Sequence, residues 1–204
     1  MSLQPARTRL STETRQAEIV DTVVDLSDTL GPGTITTVDI ARTLGLTQGA
    51  VFKHFPTKDA IWLAVMGWVE SHLLSSLDTV ATSAPTPLEG LRAVFMKHAR
   101  FVAKHPGVPR LLFNELQKPQ DTPVKRRARS MQESYRKLLV RLLAEAEKRG
   151  EVAVGLDREG AATLFLGALQ GLMLQAMLAG STAKLEAEAR RVFALYLNAI
   201  REAS

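Results

Sequence analysis

Helical patterns, interrupted at short intervals by stop signals, limit this chain to one fold class. Apolar residues recur every three to four positions through most of the sequence, whereas no alternating strand pattern extends beyond four residues. Glycines, prolines and capping residues divide this pattern into segments. The sequence therefore predicts an all-α fold of about nine helices, over residues 11–30, 36–45, 47–55, 57–80, 87–104, 108–117, 124–149, 157–179 and 182–202.

The composition indicates a soluble cytoplasmic protein. The 204 residues include no cysteine, which excludes disulfides and thiolate metal sites. No uninterrupted apolar run reaches the roughly 18 residues that span a bilayer. The first ten residues also lack the apolar region of a signal peptide. We therefore expect a cytoplasmic protein that does not associate with membranes.

The charge suggests nucleic acid as a partner but does not locate the binding surface. The net charge is +5 and the pI is near 9.7. Yet the first 57 residues carry five basic and six acidic side chains, and the positive excess lies in the middle of the chain, where residues 125–129 read KRRAR. We interpret this run as a solvated helix face. The alternative is contact with an anionic ligand or with the DNA backbone.

Residues 37–58, TVDIARTLGLTQGAVFKHFPTK, form two short helical segments joined at Gly45. Glycine readily adopts the left-handed backbone that such a tight turn requires. Ile40, Ala41 and Leu44 give the first segment only a small apolar face. Two such helices build little core, but they hold the second helix outward. This is the arrangement of a helix-turn-helix, which places its second helix in the major groove.

Side chains suited to DNA contact lie on the outward face of that second helix. Gln48 can hydrogen-bond an adenine edge, and Lys53 can reach guanine or phosphate. Gly49 has no side chain and so permits the backbone to approach the groove closely. His54 and Lys58 flank the helix end, where phosphates would pass. These residue types predict a DNA-reading helix.

The segment IARTLGLTQGAVFKHFPTKDAIW resembles the DNA-binding motif of the TetR family of transcriptional regulators, and the similarity extends in order over residues 11–63. The resemblance implies an N-terminal three-helix DNA-binding domain, residues 1–57. It also implies a larger C-terminal helical domain for effector binding and dimerisation, residues 58–204. Besides Gly49, the implied DNA contacts are Thr36 or Thr37, Thr47, Gln48, Lys53, His54 and Lys58.

One position departs from the family pattern. The family usually has tyrosine where Phe52 stands, and that hydroxyl commonly bonds a phosphate. Phe52 can pack but cannot donate a hydrogen bond. We therefore hypothesise that Arg7 and Arg9, in the N-terminal arm, supply phosphate contacts instead.

The last two predicted helices are suited to dimerisation. A palindromic DNA site requires a two-fold dimer, and the helix over residues 157–179 is apolar nearly all round. The alternative is a buried central helix in a monomer. As is usual in the resembled family, we expect these helices to pair with their symmetry mates through Gly160, Leu164, Gly167, Gly171, Leu174, Val192, Phe193, Tyr196 and Ile200.

The middle helices are expected to enclose an effector pocket. Methionines adapt to varied apolar ligands, although methionine at helical spacing also occurs in ordinary cores. Asn114, Gln117 and Gln170 are the polar groups that we expect to orient a ligand. The full set of predicted ligand-binding residues is Trp62, Met66, Met96, Phe113, Asn114, Met131, Tyr135, Phe165, Leu169, Gln170 and Met173.

Together these features predict a ligand-responsive transcriptional regulator, which we expect to be a repressor. A small apolar effector would shift the fourth helix and release the homodimer from a palindromic operator in double-stranded DNA. A sequence-indifferent architectural protein is one alternative, but it needs a broadly basic face. A helical-bundle enzyme is the other, but the four histidines lack Glu-x-x-His spacing. We expect no catalysis, cofactor or metal.

Overall fold

The computed structural model describes residues 11–31 and 33–201. Within these ranges the chain forms nine helices and no strand, which confirms the predicted all-α class. The fourth helix contains one wide π-helical turn, Glu70–Leu74. The helices are α1 Thr12–Thr29, α2 Thr37–Leu44, α3 Gln48–His54, α4 Lys58–Thr82, α5 Pro87–Lys104, α6 Gly107–Leu116, α7 Pro123–Lys148, α8 Arg158–Ala179 and α9 Leu185–Arg201.

Hydroxyl and carboxyl side chains determine where most helices begin. An N-terminal capping side chain accepts a hydrogen bond from the backbone N–H three residues later and so satisfies a donor that the helix leaves free. Thr57, for example, accepts from Ala60 N at 3.1 Å. Seven helices in the described part of the chain begin in this way, with caps at Ser11, Thr36, Thr47, Thr57, Thr86, Thr122 and Asp157.

Helix α5 forms the centre of the larger bundle and packs against α4, α7, α8 and α9. Phe95 of α5 is fully buried, and its ring lies 5.0 Å from that of Phe165 and 5.4 Å from that of Phe193. Tyr196 packs against Phe165 at 5.5 Å. Aromatic burial of this kind contributes strongly to core stability. Phe165 and Phe193 are therefore core residues of a single protomer.

Helix α1 joins the first three helices to the rest of the molecule. It packs against α2 and α3 on one side and against α4 and α6 on the other. Ile19 and Val23 of α1 are fully buried. Because α4 contacts both groups of helices, the domain boundary after residue 57 stays a prediction.

Two of the helices, Lys58–Thr82 and Arg158–Ala179, have the length and apolar composition of a membrane span. Core helices of soluble bundles also pass a test of length and composition. Both helices contribute fully buried side chains to the core, Ile61 from the first and Phe165 from the second.

Candidate DNA-binding face, effector cavity and dimer surface

The turn between α2 and α3 has the geometry that the sequence predicts. Gly45 adopts a left-handed backbone, with φ 61° and ψ 39°. Before it, Thr36 and Asp39 form a reciprocal capping box, in which Asp39 N donates to Thr36 Oγ1 at 3.2 Å and Thr36 N donates to Asp39 Oδ2 at 3.0 Å. Hydrogen bonds from the Thr36 hydroxyl and backbone lower the pKa of Asp39. Both ends of α2 are thus fixed.

The first turn of α3 faces solvent. Thr47, Gln48, Gly49 and Lys53 are exposed, whereas Val51 is fully buried against the core. A methyl group at Gly49 would meet only Thr47 Oγ1, at 4.0 Å, so the backbone there is open to a close partner. This helix therefore presents the four predicted residues to solvent.

Thr37 is placed differently from the prediction. It is 7% exposed, and its hydroxyl accepts a 2.7 Å hydrogen bond from Gln48 Nε2. Because Thr37 is buried, the prediction that it contacts DNA is corrected: its hydroxyl instead holds the side chain of Gln48. The amide nitrogen of Gln48 carries two hydrogens. It can therefore bond Thr37 with one and a base edge with the other.

The remaining predicted contacts surround α3. The backbone carbonyl of His54 accepts a 3.0 Å hydrogen bond from Gln16 Nε2, which ties the end of α3 to α1. The Nδ1 atom of His54 is buried without a hydrogen-bond partner in the described residues. Lys58 Nζ lies 5.3 Å from the centroid of the Trp62 ring, a cation–π contact at the start of α4. Thr36 is exposed beside the turn.

Three arginines bear on phosphate contact. Arg7 and Arg9, the hypothesised phosphate contacts of the N-terminal arm, lie outside the described residues. Arg42, which was not predicted as a DNA contact, has a side chain that is 75% exposed and lies 3.4 Å from Asp39. In a helix-turn-helix the first helix crosses the DNA backbone. Arg42 is therefore a candidate phosphate contact, and its position on the exposed side of α2 was the available signal.

A cavity of about 210 Å³ lies among α4, α5, α6, α7 and α8. Its wall is mainly apolar, which is typical of small-molecule sites. Phe101 and Val102 of α5 and Leu112 of α6 lie at its wall. Six predicted ligand-binding residues line it as well, namely Met66, Phe113, Met131, Tyr135, Gln170 and Met173.

The other five predicted pocket residues lie elsewhere, which corrects the pocket prediction. Trp62 and Asn114 line a separate gap of about 20 Å³, which is only large enough for about one water molecule. Phe165 and Leu169 are 0% and 2% exposed. They pack in the protomer core, as does Met96. Met96 lies on the face of α5 opposite to the cavity-lining residues His98, Phe101 and Val102.

Three polar residues at the cavity wall, His98, Gln132 and Arg129, were not predicted from the sequence. Tyr135 was predicted, but its partner His98 was not, and the His98 Nδ1 and Tyr135 Oη atoms are 3.3 Å apart. Burial lowers the pKa of His98 to about 4, so its imidazole is neutral at physiological pH. Gln132 and Arg129 also line the cavity. The sequence carried no signal for His98, because only the packing of α5 against α7 brings it to Tyr135.

The basic run at residues 125–129 lies on a solvent-facing side of α7 and is matched by acidic partners. Arg129 Nη2 lies 2.6 Å from Asp121 Oδ1, and Arg126 Nη1 lies 3.3 Å from the second oxygen of that carboxylate. Arg127 pairs with Glu70, in the π-helical turn of α4. Three of the four cations in the run therefore form ion pairs, and they share the two carboxylates of Asp121 and Glu70, so the positive charge is partly compensated.

Helix α8 exposes an apolar stripe. Leu164, Leu174 and Leu178 are 52%, 50% and 81% exposed, at positions that share one helical face. Gly167 and Gly171 lie between them, and a methyl group added at either would meet nothing within 4 Å. On α9, Leu195 is 70% exposed, and Val192 is half-buried. Such a stripe marks an interaction surface.

Three residues predicted for the dimer interface do not belong to this surface. Phe193, Tyr196 and Ile200 are at most 3% exposed, because α9 turns them into the protomer core. A methyl group at Gly160 would lie 2.4 Å from Oδ2 of Asp157, the residue that caps α8. The glycine makes room for this cap and is itself exposed, so it stays in the interface prediction, whereas the three buried residues are omitted.

A metal site is not formed by the part of the chain that the structure describes. Within residues 11–31 and 33–201, no three histidine, aspartate or glutamate side chains come together in a way that could hold an ion. The histidines lie apart in the fold or stack on aromatic rings. His72, for example, stacks on Trp68 with ring centroids 4.2 Å apart.

Known proteins resemble this chain in both halves. Residues 20–65 match the family model described as bacterial regulatory proteins of the TetR family, and residues 112–193 match that of the tetracycline repressor-like C-terminal domain. The nucleoid occlusion factor SlmA of Vibrio atlanticus is 26% identical over 158 residues, which cover 77% of this chain and 81% of that protein.

Solved structures share the fold over nearly the whole length. A TetR transcription regulator from Haloarcula marismortui superposes with a TM-score of 0.80 at 20% identity, covering 92% of this chain and 98% of that one. The regulator FadR from Bacillus subtilis, solved in complex with stearoyl-CoA, gives 0.78 at 20% identity, with coverage of 90% and 98%. Both family models and the shared nine-helix fold lead to one conclusion: the chain belongs to the TetR family of DNA-binding transcriptional regulators.

Proposed function

We propose that the protein is a cytoplasmic, homodimeric repressor that binds a palindromic operator through two copies of α3 and leaves it when a small apolar effector enters the cavity. The observation that carries this proposal is the placement of the cavity. Two helices of its wall, α4 and α6, also contact α1, which packs against the DNA-reading helix. The proposed function involves no catalytic step.

The DNA contacts follow from the exposed first turn of α3. Gln48, held by Thr37, would read a base edge, and Lys53 would contact guanine or phosphate. Thr36, Thr47, His54 and Lys58 surround this helix and would position the protein on the sugar–phosphate backbone, which fixes register without reading sequence. Gly49 would lie where the backbone comes closest to the groove.

Dimerisation would pair the apolar stripes of two α8 helices, with α9 alongside. Leu164, Leu174 and Leu178 would then leave water, and the open flanks of Gly167 and Gly171 would permit close helix contact. Two-fold pairing would place the two α3 helices in successive major grooves, roughly 34 Å apart.

Effector binding would act on the reading helices through α4 and α6. Helix α4 carries Lys58 at its DNA end and Met66 at the cavity, eight residues and roughly 12 Å further along. Helix α6 begins against α1 at Gly107 and lines the cavity with Leu112 and Phe113. A ligand that widens the cavity would move both helices. Thermodynamic linkage makes the effect reciprocal: the ligand lowers the affinity for the operator by the same factor as the operator lowers the affinity for the ligand.

Two comparisons bear on the proposal. FadR from Bacillus subtilis was solved with stearoyl-CoA, a ligand with a long apolar chain, and it has the same fold. This supports an apolar effector for the cavity of the present protein. SlmA is named as a nucleoid occlusion factor. The response of DNA binding to a ligand is what distinguishes the proposed effector-controlled repressor from such a factor.

The test begins with selection of binding sequences from random DNA, followed by operator affinity at fixed salt. We expect a palindromic consensus bound at least 10³-fold more tightly than random DNA. Gln48→Ala should relax the preference at one position in each half-site. Gln120→Ala, an exposed glutamine in the loop before α7, is the matched control and should change nothing. Equal affinity for every sequence would support the architectural alternative and contradict the proposal.

A further inference from the structure

A polar couple interrupts the apolar wall of the cavity. His98 of α5 and Tyr135 of α7 both line it, with His98 Nδ1 3.3 Å from Tyr135 Oη and ring centroids 5.6 Å apart. Neighbouring lining residues, including Leu166 and Phe101, are apolar. A buried polar couple costs free energy unless its donors find acceptors.

At neutral pH the His98–Tyr135 couple has two hydrogen-bond donors, and the hydrogen bond between the two side chains uses only one of them. If the tyrosine O–H donates to Nδ1, the remaining imidazole proton is on Nε2. If instead Nδ1–H donates to the tyrosine oxygen, the phenol O–H is free. In the part of the chain that the structure describes, neither residue makes a second hydrogen bond. Either tautomer therefore leaves one donor unused on a residue that lines the cavity.

The couple is uncharged at neutral pH. Burial lowers the pKa of the His98 imidazole to about 4 and raises that of the Tyr135 hydroxyl well above its ordinary value. Among the described residues that line the cavity, Arg129 is the one with a full charge. Its guanidinium is 2.6 Å from Asp121, a carboxylate that it shares with Arg126, and its side chain is 62% exposed, so this charge is paired and in contact with solvent rather than enclosed by the apolar wall.

We propose that the effector is an uncharged, largely apolar molecule with one hydrogen-bond acceptor, such as the carbonyl oxygen of a ketone or ester, and that the His98–Tyr135 couple binds this oxygen. This inference rests on the proposed function and names the chemical class of its effector. An acceptor completes the couple, whereas an alkane leaves the donor unsatisfied. A carboxylate finds no uncompensated cation inside, and an ammonium group finds no carboxylate among the described lining residues.

Three probes of equal chain length separate these classes: 2-nonanone, nonane and nonanoate. Headspace analysis over the full-length protein gives the dissociation constants of the first two, and calorimetry gives that of the third. The informative quantity is the ratio of the nonane constant to the 2-nonanone constant. We expect the double variant His98→Leu/Tyr135→Phe to lower it about tenfold, the value of one net hydrogen bond. Lys137→Gln, at a 74% exposed side chain of α7 that does not line the cavity, is the control and should leave the ratio unchanged.

A second measurement uses the unmodified protein. The ¹³C resonance of carbonyl-labelled 2-nonanone moves downfield when the oxygen accepts a hydrogen bond. We expect the bound resonance downfield of that in hexane, and a bound resonance at the hexane position would overturn the inference. This result does not depend on whether the double variant folds.

The outcomes distinguish the inference from the proposed function. An unchanged nonane to 2-nonanone ratio in the folded double variant would overturn the inference but leave an apolar effector. Tight binding of nonanoate that Arg129→Gln abolishes would do the same in favour of an anionic effector. If none of the three probes binds, the cavity is not an effector site, and the proposed function fails with the inference.

Discussion

The backbone N–H of Gly107 donates a 2.7 Å hydrogen bond to the carboxylate of Asp28, and this contact joins the DNA-binding helices to the wall of the cavity. Asp28 lies in the last turn of α1, and Gly107 is the first residue of α6. Burial raises the pKa of Asp28, while the hydrogen bond from Gly107 opposes that shift. The approach is also sterically tight, since a methyl group at Gly107 would lie 2.1 Å from Ser27 Oγ. The two helices must therefore move together or separate.

Gly107→Ala should destabilise the protein by about 1–3 kcal/mol, because the added methyl group overpacks the contact with Ser27. For a chain of this size each kcal/mol corresponds to a loss of roughly 2–4 °C in Tm. Scanning calorimetry of the variant checks this.

Gly67→Ala is the matched control, because a methyl group there meets nothing within 4 Å. In the interior of a helix that change should stabilise by about 0.5–1 kcal/mol. A Gly107→Ala variant as stable as the parent would show that α1 and α6 are not in firm contact.

Gln48→Ala and Lys53→Ala should weaken operator binding in different ways. Loss of the Gln48 amide should cost about 1–3 kcal/mol and relax the preference at one base pair, because the contact reads a base edge. If Lys53 contacts phosphate, its loss should weaken binding to all sequences and reduce the salt slope by about 1. Titrations of specific and random DNA at several salt concentrations check both. An unchanged base preference in Gln48→Ala would show that Gln48 does not read the operator.

Local chemistry made the helices predictable. Thr36, Thr47 and Thr57 each cap the helix that follows, and this depends on residues at most three positions away. Gly45 ends α2 in the left-handed backbone for an equally local reason. The exposed residues of α3 were predictable because these boundaries fix where the short helix begins and ends, and so which residues form its first turn.

The sequence did not predict which apolar side chains of the last helices pack in the protomer's own core and which are exposed. Phe193 and Leu195 lie two positions apart on α9, yet one is 2% and the other 70% exposed. Their hydrophobicity alone does not distinguish the core of one protomer from a surface for a partner. The His98–Tyr135 couple was missed for a related reason. Its members are 37 positions apart, and only the packing of α5 against α7 brings them together.

Lowering the pH should reduce the free energy of unfolding, because His98 is held in its neutral form in the folded protein. In the unfolded chain this imidazole takes up a proton near pH 6.5, whereas burial lowers its pKa to about 4 in the folded protein. Between these values the unfolded state binds more protons, so the free energy of unfolding falls as the pH falls through this window, by up to roughly 3 kcal/mol. His98→Leu should lose this component. Urea unfolding of both proteins at several pH values checks it, and parallel pH profiles would contradict it.

Leu174→Asp should convert the dimer to a monomer. Leu174 is 50% exposed on the apolar stripe of α8, and two-fold pairing would bury a carboxylate there without a partner charge. Sedimentation velocity should then show a monomer, and operator affinity should fall by orders of magnitude, because one helix-turn-helix retains only half of the contacts. Val154→Asp is the control, since Val154 is 90% exposed in the loop before α8 and outside the stripe. A Leu174→Asp protein that sediments as a dimer and still binds its operator would show that the two copies pair through another surface.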